Sequence, residues 1–119
     1  MFKSVSAFSP ICNPKLCPWG QKAFKGYLGD NEDTWNEYDA TELIKAYSST
    51  SFDDILIDVG DNDSFLTAGQ LLPDKFVDAC NGVNQKVTLR YQQGYDHSYF
   101  FISSFVEDHV KFHAQRLLV

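Results

Sequence analysis

The chain has 119 residues, a net charge of −6, and 44% apolar and 22% charged residues, which suits one small domain with a single core, residues 1–119. That acidic balance argues against nucleic acid and against an anionic membrane surface as partners. No apolar run is long enough to span a bilayer, and the first residues lack the basic start, apolar stretch and small-residue cleavage site of a secretory signal. Aromatic residues make up 15% of the chain, so the core should be rich in rings. The three cysteines, Cys12, Cys17 and Cys80, are an odd number without a signal. They are expected to be free thiols in a reducing, cytoplasmic setting. The C-x4-C spacing with no second cluster is a poor zinc signature, and neither metal nor cofactor is expected.

In chain order, KSVSAF at residues 3–8 reads as a short strand that stops at Pro10. Residues 10–33 carry prolines and glycines at turn positions and read as one long loop. Its Trp19, Phe24 and Tyr27 argue that the loop is ordered and functional. Asp39 with Glu42 three residues later makes a capping-box pattern, which starts a helix within residues 38–49. DDILIDVG at residues 53–60 is an apolar run between polar turns, the mark of a buried strand. Pro73 suits the first turn of a helix whose Phe76, Val77 and Cys80 share a face and which Asn81 and Gly82 end. KVTLRYQQG at residues 86–94 is the third strand. The last helix runs over residues 98–117, with Phe101, Ile102, Phe105, Phe112 and Leu117 at mostly helical spacing.

Strands alternating with helices predict an α/β fold, a parallel sheet with helices on its faces. Ligands in such sheets lie beyond the carboxyl ends of the strands. That rule brings together GDND at residues 60–63, after the second strand, and GYDH at residues 94–97, after the third. A carboxylate beside a neutral imidazole fixes its tautomer and stabilises the imidazolium formed when the ring takes a proton. His97 is therefore a candidate base, and Asp61 and Asp63 both qualify by position as its acid. Asp58 lies inside the strand and should point into a sheet face. Asp96 is too close to His97 in sequence to bridge to that ring. His109 and His113 are four apart on the last helix, a spacing a metal could use, but no third ligand accompanies them. A solvated or partly packed helix face is the expectation there.

The segments SVSAFSPICNP, CPWGQKAFKGYLG, YDATELIK, DILIDVGDNDSFL, GQLLPDKFVDAC and GYDHSYFFISSFVEDHVKFHA together resemble the S-formylglutathione hydrolase (esterase D) family. The resemblance runs from Phe2 into the last helix. It implies an α/β-hydrolase fold and a Ser-Asp-His triad that hydrolyses the thioester S-formylglutathione to formate and glutathione, with simple aryl esters as further substrates. The family's triad histidine falls on His97 in GYDHSY. Its triad acid falls on Asp63 in GDNDSFL, where relatives typically carry GKDD. Trp19 in CPWG matches a tryptophan that lines the acyl side of the family's active site. The glutathione thioester is the partner molecule implied, with a homodimer as the assembly suggested for the full-length family.

The family's nucleophile lies on a G-x-S-x-G elbow between strand and helix. None of the seven glycines here is followed two residues later by serine. The chain thus resembles about the last two-fifths of the family fold, without the N-terminal strands, the elbow or the oxyanion-hole loop. It is expected to be inactive alone, marginally stable, and open at the edge of its first strand. Cys12 or Cys17 could in principle substitute as nucleophile, but structural thiols are the better expectation. The alternative reading is a non-catalytic truncated isoform that acts as an interaction partner.

Overall fold

A computed structural model of the protein describes residues 2–47 and 52–118. Three parallel strands, β1 (Val5–Phe8), β2 (Ile55–Gly60) and β3 (Thr88–Gln92), lie side by side in the order β1-β2-β3. Ala7 faces Ile57, which faces Leu89. All six residues of β2 are buried, as its run of apolar residues predicts for a central strand with both faces covered.

The two faces of β2 are chemically different. Ile55, Ile57 and Val59 alternate onto one face and join Cys12, Leu71, Phe76 and Cys80 in the apolar core. That face is covered by α4 (Pro73–Gly82), against which α2 (Ala40–Lys45) packs. Leu56 and Asp58 alternate onto the other face. There α5 (Tyr99–Leu117) crosses β1 and β2. Asp39 caps α2 by accepting from the backbone N–H groups of Thr41 and Glu42, so the predicted start of that helix holds. Residues 48 and 49, its predicted end, lie outside the described residues. No described helix is long and apolar enough to cross a membrane.

The long loop expected over residues 10–33 is not a loop. It contains a 3-10 turn at Pro14–Leu16, the eleven-residue helix α1 (Pro18–Leu28) and the start of a second 3-10 turn, Glu32–Tyr38. Pro18 occupies the first turn, where its missing N–H costs nothing. Cys17 caps it through sulfur, accepting from Gly20 N–H at 3.3 Å. Gly20 is needed because a Cβ there would fall 2.0 Å from the Pro14 carbonyl oxygen. Gly29, with φ of +88°, ends the helix. The prolines and glycines read as loop residues are thus the start, a close approach and the stop of a helix. The four-residue helix α3 (Ser64–Thr67) was also not expected.

Candidate functional site

The carboxyl ends of β2 and β3 form one rim, and the two loops leaving them are tied together by backbone groups. Asp61 N–H donates to the Gln92 carbonyl at 3.0 Å, and Asn62 N–H to the Tyr95 carbonyl at 3.0 Å. The Asp61 carboxylate accepts from Gly94 N–H at 2.7 Å. Contact this close requires a glycine at the end of β2: a Cβ on Gly60 would meet the Tyr95 carbonyl oxygen at 2.1 Å.

On this frame Asp63 and His97 meet. His97 Nδ1 lies 2.7 Å from Asp63 Oδ2, the ring 41% exposed and the carboxylate fully buried. An ionised carboxylate only accepts, so Nδ1 carries the hydrogen and Nε2 is left with a lone pair. Among the described residues nothing bonds to that Nε2. The second oxygen of Asp63 accepts from Phe65 N–H at 2.8 Å and caps α3. One carboxylate therefore holds a helix with one oxygen and orients the ring with the other. Position alone left Asp61 and Asp63 equal; Asp61 is occupied with the backbone of the β3 loop, and Asp63 reaches the imidazole.

His97 opens onto a cleft of about 320 Å³, lined also by Phe8, Ser9, Ser98, Phe101 and Ile102. Ser98 caps α5, accepting from Phe101 N–H, and so is committed to the helix start. Ser9, just past β1, adopts φ of +49°, and its hydroxyl oxygen is buried with no partner among the described residues. An edge-on contact joins the His97 ring to Phe65, centroids 4.9 Å apart, and Phe65 meets Trp19 at 4.7 Å. Trp19 is thereby linked to His97 through one intervening ring, and its backbone N–H is held by Gln70 at 3.0 Å. Sequence reasoning missed Phe65 and Ser9: neither lies in a motif that signals a site, and only the fold brings Phe65 against the His97 ring and Ser9 into the same cleft.

The thiols do not complete the site. Cys12 is buried in the core and its sulfur faces the Pro10 carbonyl. Burial, with smaller contributions from Cys80 and Asp39, pushes its thiol up to about 12, and burial pushes Cys80 up to about 11. Cys17 is fully buried as the cap of α1. Proton-bearing, enclosed thiols are poor nucleophiles. Of the solvated or partly packed face expected for His109 and His113, the structure shows the packed form, with His109 buried and His113 half-buried. His109 bonds Asp58 at 2.6 Å and Ser6 at 2.8 Å, while His113 bonds Ser4 at 2.6 Å and Ser6 at 2.8 Å. Every ring nitrogen of this pair is taken by the protein.

Comparison with known proteins gives a consistent result. Residues 1–112 match the Esterase family, described as "Putative esterase". An S-formylglutathione hydrolase of Mus musculus is 58% identical over 116 residues, 98% of this chain and 41% of the relative. One of Arabidopsis thaliana is 59% identical over 98% of this chain and 40% of the relative. The solved structure of an S-formylglutathione hydrolase from Agrobacterium tumefaciens superposes with a TM-score of 0.90 at 45% identity, covering 98% of this chain and 41% of that one. The fold is therefore part of an α/β-hydrolase, and the chain spans about two-fifths of the length of these relatives. All three are hydrolases by name, so the non-catalytic alternative finds no support among them.

Proposed function

Because the chain belongs to the esterase family, we propose that it carries the base and the orienting acid of an S-formylglutathione hydrolase. The observation behind this is the Asp63–His97 pair, 2.7 Å apart, with Nε2 unbonded among the described residues on a ring that lines a cleft. The identity to named S-formylglutathione hydrolases over nearly the whole chain supports that choice of substrate. In this reading Nε2 of His97 takes the proton of a serine hydroxyl as its oxygen attacks the formyl carbonyl of the thioester. Asp63 keeps the proton on Nδ1 and stabilises the imidazolium. His97 then delivers the proton to the departing glutathione sulfur; in the second half it takes a proton from water as the water oxygen attacks the formyl-enzyme carbonyl, and returns that proton to the serine oxygen as the ester bond breaks and formate leaves. The serine, on G-x-S-x-G, and the oxyanion donors are not among these 119 residues. Trp19 bounds the acyl side of the site through Phe65. Residues 1–119 act as a single partial domain, the whole protein being a homodimer in a reducing cytoplasm, where buried free thiols persist.

The test joins the remaining three-fifths of the Agrobacterium relative to this chain and follows hydrolysis of S-formylglutathione. The 119 residues alone should stay at background and the chimera should be active. His97→Ala should then lower kcat by about 10⁶ and Asp63→Asn by about 10⁴, the losses typical of a triad base and its acid. A chimera indifferent to His97→Ala, or turnover by the 119 residues alone that Cys12→Ser abolishes, would overturn the reading.

A further inference from the structure

A second polar assembly lies on the face of the sheet that α5 covers, away from the rim. At its centre is Asp58, fully buried in the middle of β2. Its Oδ1 accepts from Arg90 Nε at 2.7 Å and Gln92 Nε2 at 3.0 Å; its Oδ2 accepts from Arg90 Nη2 at 2.6 Å and His109 Nε2 at 2.6 Å. Arg90 also reaches Asp108 on α5 at 3.2 Å. Because Asp58 only accepts, His109 carries its hydrogen on Nε2. With both rings neutral, all the remaining hydrogens are then fixed. Ser6 donates to His109 Nδ1, His113 Nε2 donates to Ser6, and Ser4 donates to His113 Nδ1. The hydrogens run one way, from Ser4 just before β1 to Asp58, and no ring nitrogen or hydroxyl in the series is left over.

The partners of Asp58 are the elements on either side of the His97 loop. Gln92 is the last residue of β3, five residues before His97 in sequence, and the α5 that carries His109 begins two residues after it. Phe8 stacks on His109 at 3.8 Å and meets Phe101 edge-on at 5.7 Å, and Phe8 and Phe101 both line the His97 cleft. We propose that Asp58 is a positioning residue for His97: with Gln92 and His109 it fixes both ends of the loop, so that the ring meets Asp63 in one orientation. Asp63 sets the ring; Asp58 sets the backbone that carries the ring. This rests on the reading of His97 as the base, but it is tested without hydrolysis.

The test is ¹⁵N-histidine NMR of the full chain, with circular dichroism on every variant. The unsubstituted chain should show an exchange-protected His97 Nδ1 proton, shifted downfield by the buried carboxylate, and His109 as the Nε2–H tautomer. In Asp58→Asn and His109→Phe, under conditions where each is folded, that His97 proton should exchange about tenfold faster, the effect of one lost hydrogen bond. His109→Gln, whose amide can still donate to Asp58, should restore protection. Gln92→Leu, which removes a single bond and leaves the buried charge paired, should act in the same direction and decides the matter if Asp58→Asn does not fold. A purely structural Asp58 would lower the unfolding midpoint and leave the His97 signal of the folded state alone. Folded variants with unchanged His97 exchange, or an unsubstituted chain without the protected proton, would overturn the proposal. Hydrolysis failing in the chimera while these signals behave as expected would count against the substrate reading only.

Discussion

Among the described residues are two aspartate–imidazole pairs of nearly the same length, and their surroundings differ. At the rim, Asp63 holds His97 by Nδ1 at 2.7 Å, and the ring is 41% exposed. Under α5, Asp58 holds His109 by Nε2 at 2.6 Å, and that side chain is 5% exposed. The distances do not separate the proposed base from the enclosed ring. The other nitrogen does. Nε2 of His97 bonds nothing among the described residues and its ring lines a cleft, whereas Nδ1 of His109 is closed by Ser6. The acids differ as well. Asp63 divides its oxygens between a helix cap and the ring, while Asp58 collects four donors, two of them from one guanidinium. A base needs a lone pair that the fold leaves unused; a clamp needs every pair used.

Breaking the clamp should have the largest effect on stability. Asp58→Leu leaves the buried His109 without its acceptor and the half-buried Arg90 with Asp108 alone, and removing one partner of a buried ion pair costs about 3–5 kcal/mol. Asp63→Asn keeps an acceptor for the Phe65 N–H and should cost about 1–3 kcal/mol. Urea midpoints of the two variants, measured side by side, check the order; equal costs would erase the distinction between clamp and site. Acid makes the same point without mutation. Burial alone would raise the Asp58 carboxyl, but the hydrogen bonds from Arg90, Gln92 and His109 and the charge of Arg90 outweigh it, and the group is held below its ordinary 3.8. A carboxyl depressed in the folded state stabilises fully above its unfolded value, and that contribution is lost as pH falls through the folded one. Urea midpoints should thus fall steeply below about pH 4, and Asp58→Asn should flatten that limb.

Gly60 joins the two regions, being the residue where β2 leaves the clamp and enters the rim. A Cβ there would meet backbone rather than a yielding side chain, 2.1 Å from the Tyr95 oxygen. Gly60→Ala should cost about 1–3 kcal/mol by overpacking. Its effect on the chimera should be larger, because displacing residues 95–97 by about 1 Å misplaces the base and costs about 10²-fold in rate. Kinetics and denaturation on the same preparation separate these losses.

The sequence makes the rim legible and the clamp obscure, for a physical reason. Period and punctuation mark strands and helices, strand ends mark the rim, and the resemblance chooses Asp63 over Asp61. What the clamp requires is side-chain pairing between residues far apart in the chain: Asp58 with His109, Ser6 with both histidines. Read singly, Asp58 is an acid in a strand and the histidines are a helix face. The helix α1 was missed for a different reason. Pro18, Gly20 and Gly29 are loop residues by composition, and only their positions within the turn reveal a first-turn proline, a close backbone approach and a stop. An odd set of cysteines did indicate free thiols, and the structure adds that all three are buried.

The smallest effect on stability is expected at Trp19, and that makes it the best probe of the rim. The indole is 45% exposed and its ring contact is with Phe65. Trp19→Ala should therefore cost about 1 kcal/mol, the worth of one aromatic pair, and Trp19→Phe less, leaving the clamp and its acid limb untouched. Selectivity should respond more than stability. In the proposed reading the ring bounds the acyl side and excludes bulk there, so Trp19→Ala in the chimera should raise kcat/KM for aryl esters of longer acids relative to formyl and acetyl esters by about tenfold, the value of one or two accommodated methylenes. Trp19→Phe should lie between. A ratio unchanged by either substitution would remove Trp19 from the acyl side and leave it as packing for Phe65, behind the imidazole rather than beside the substrate.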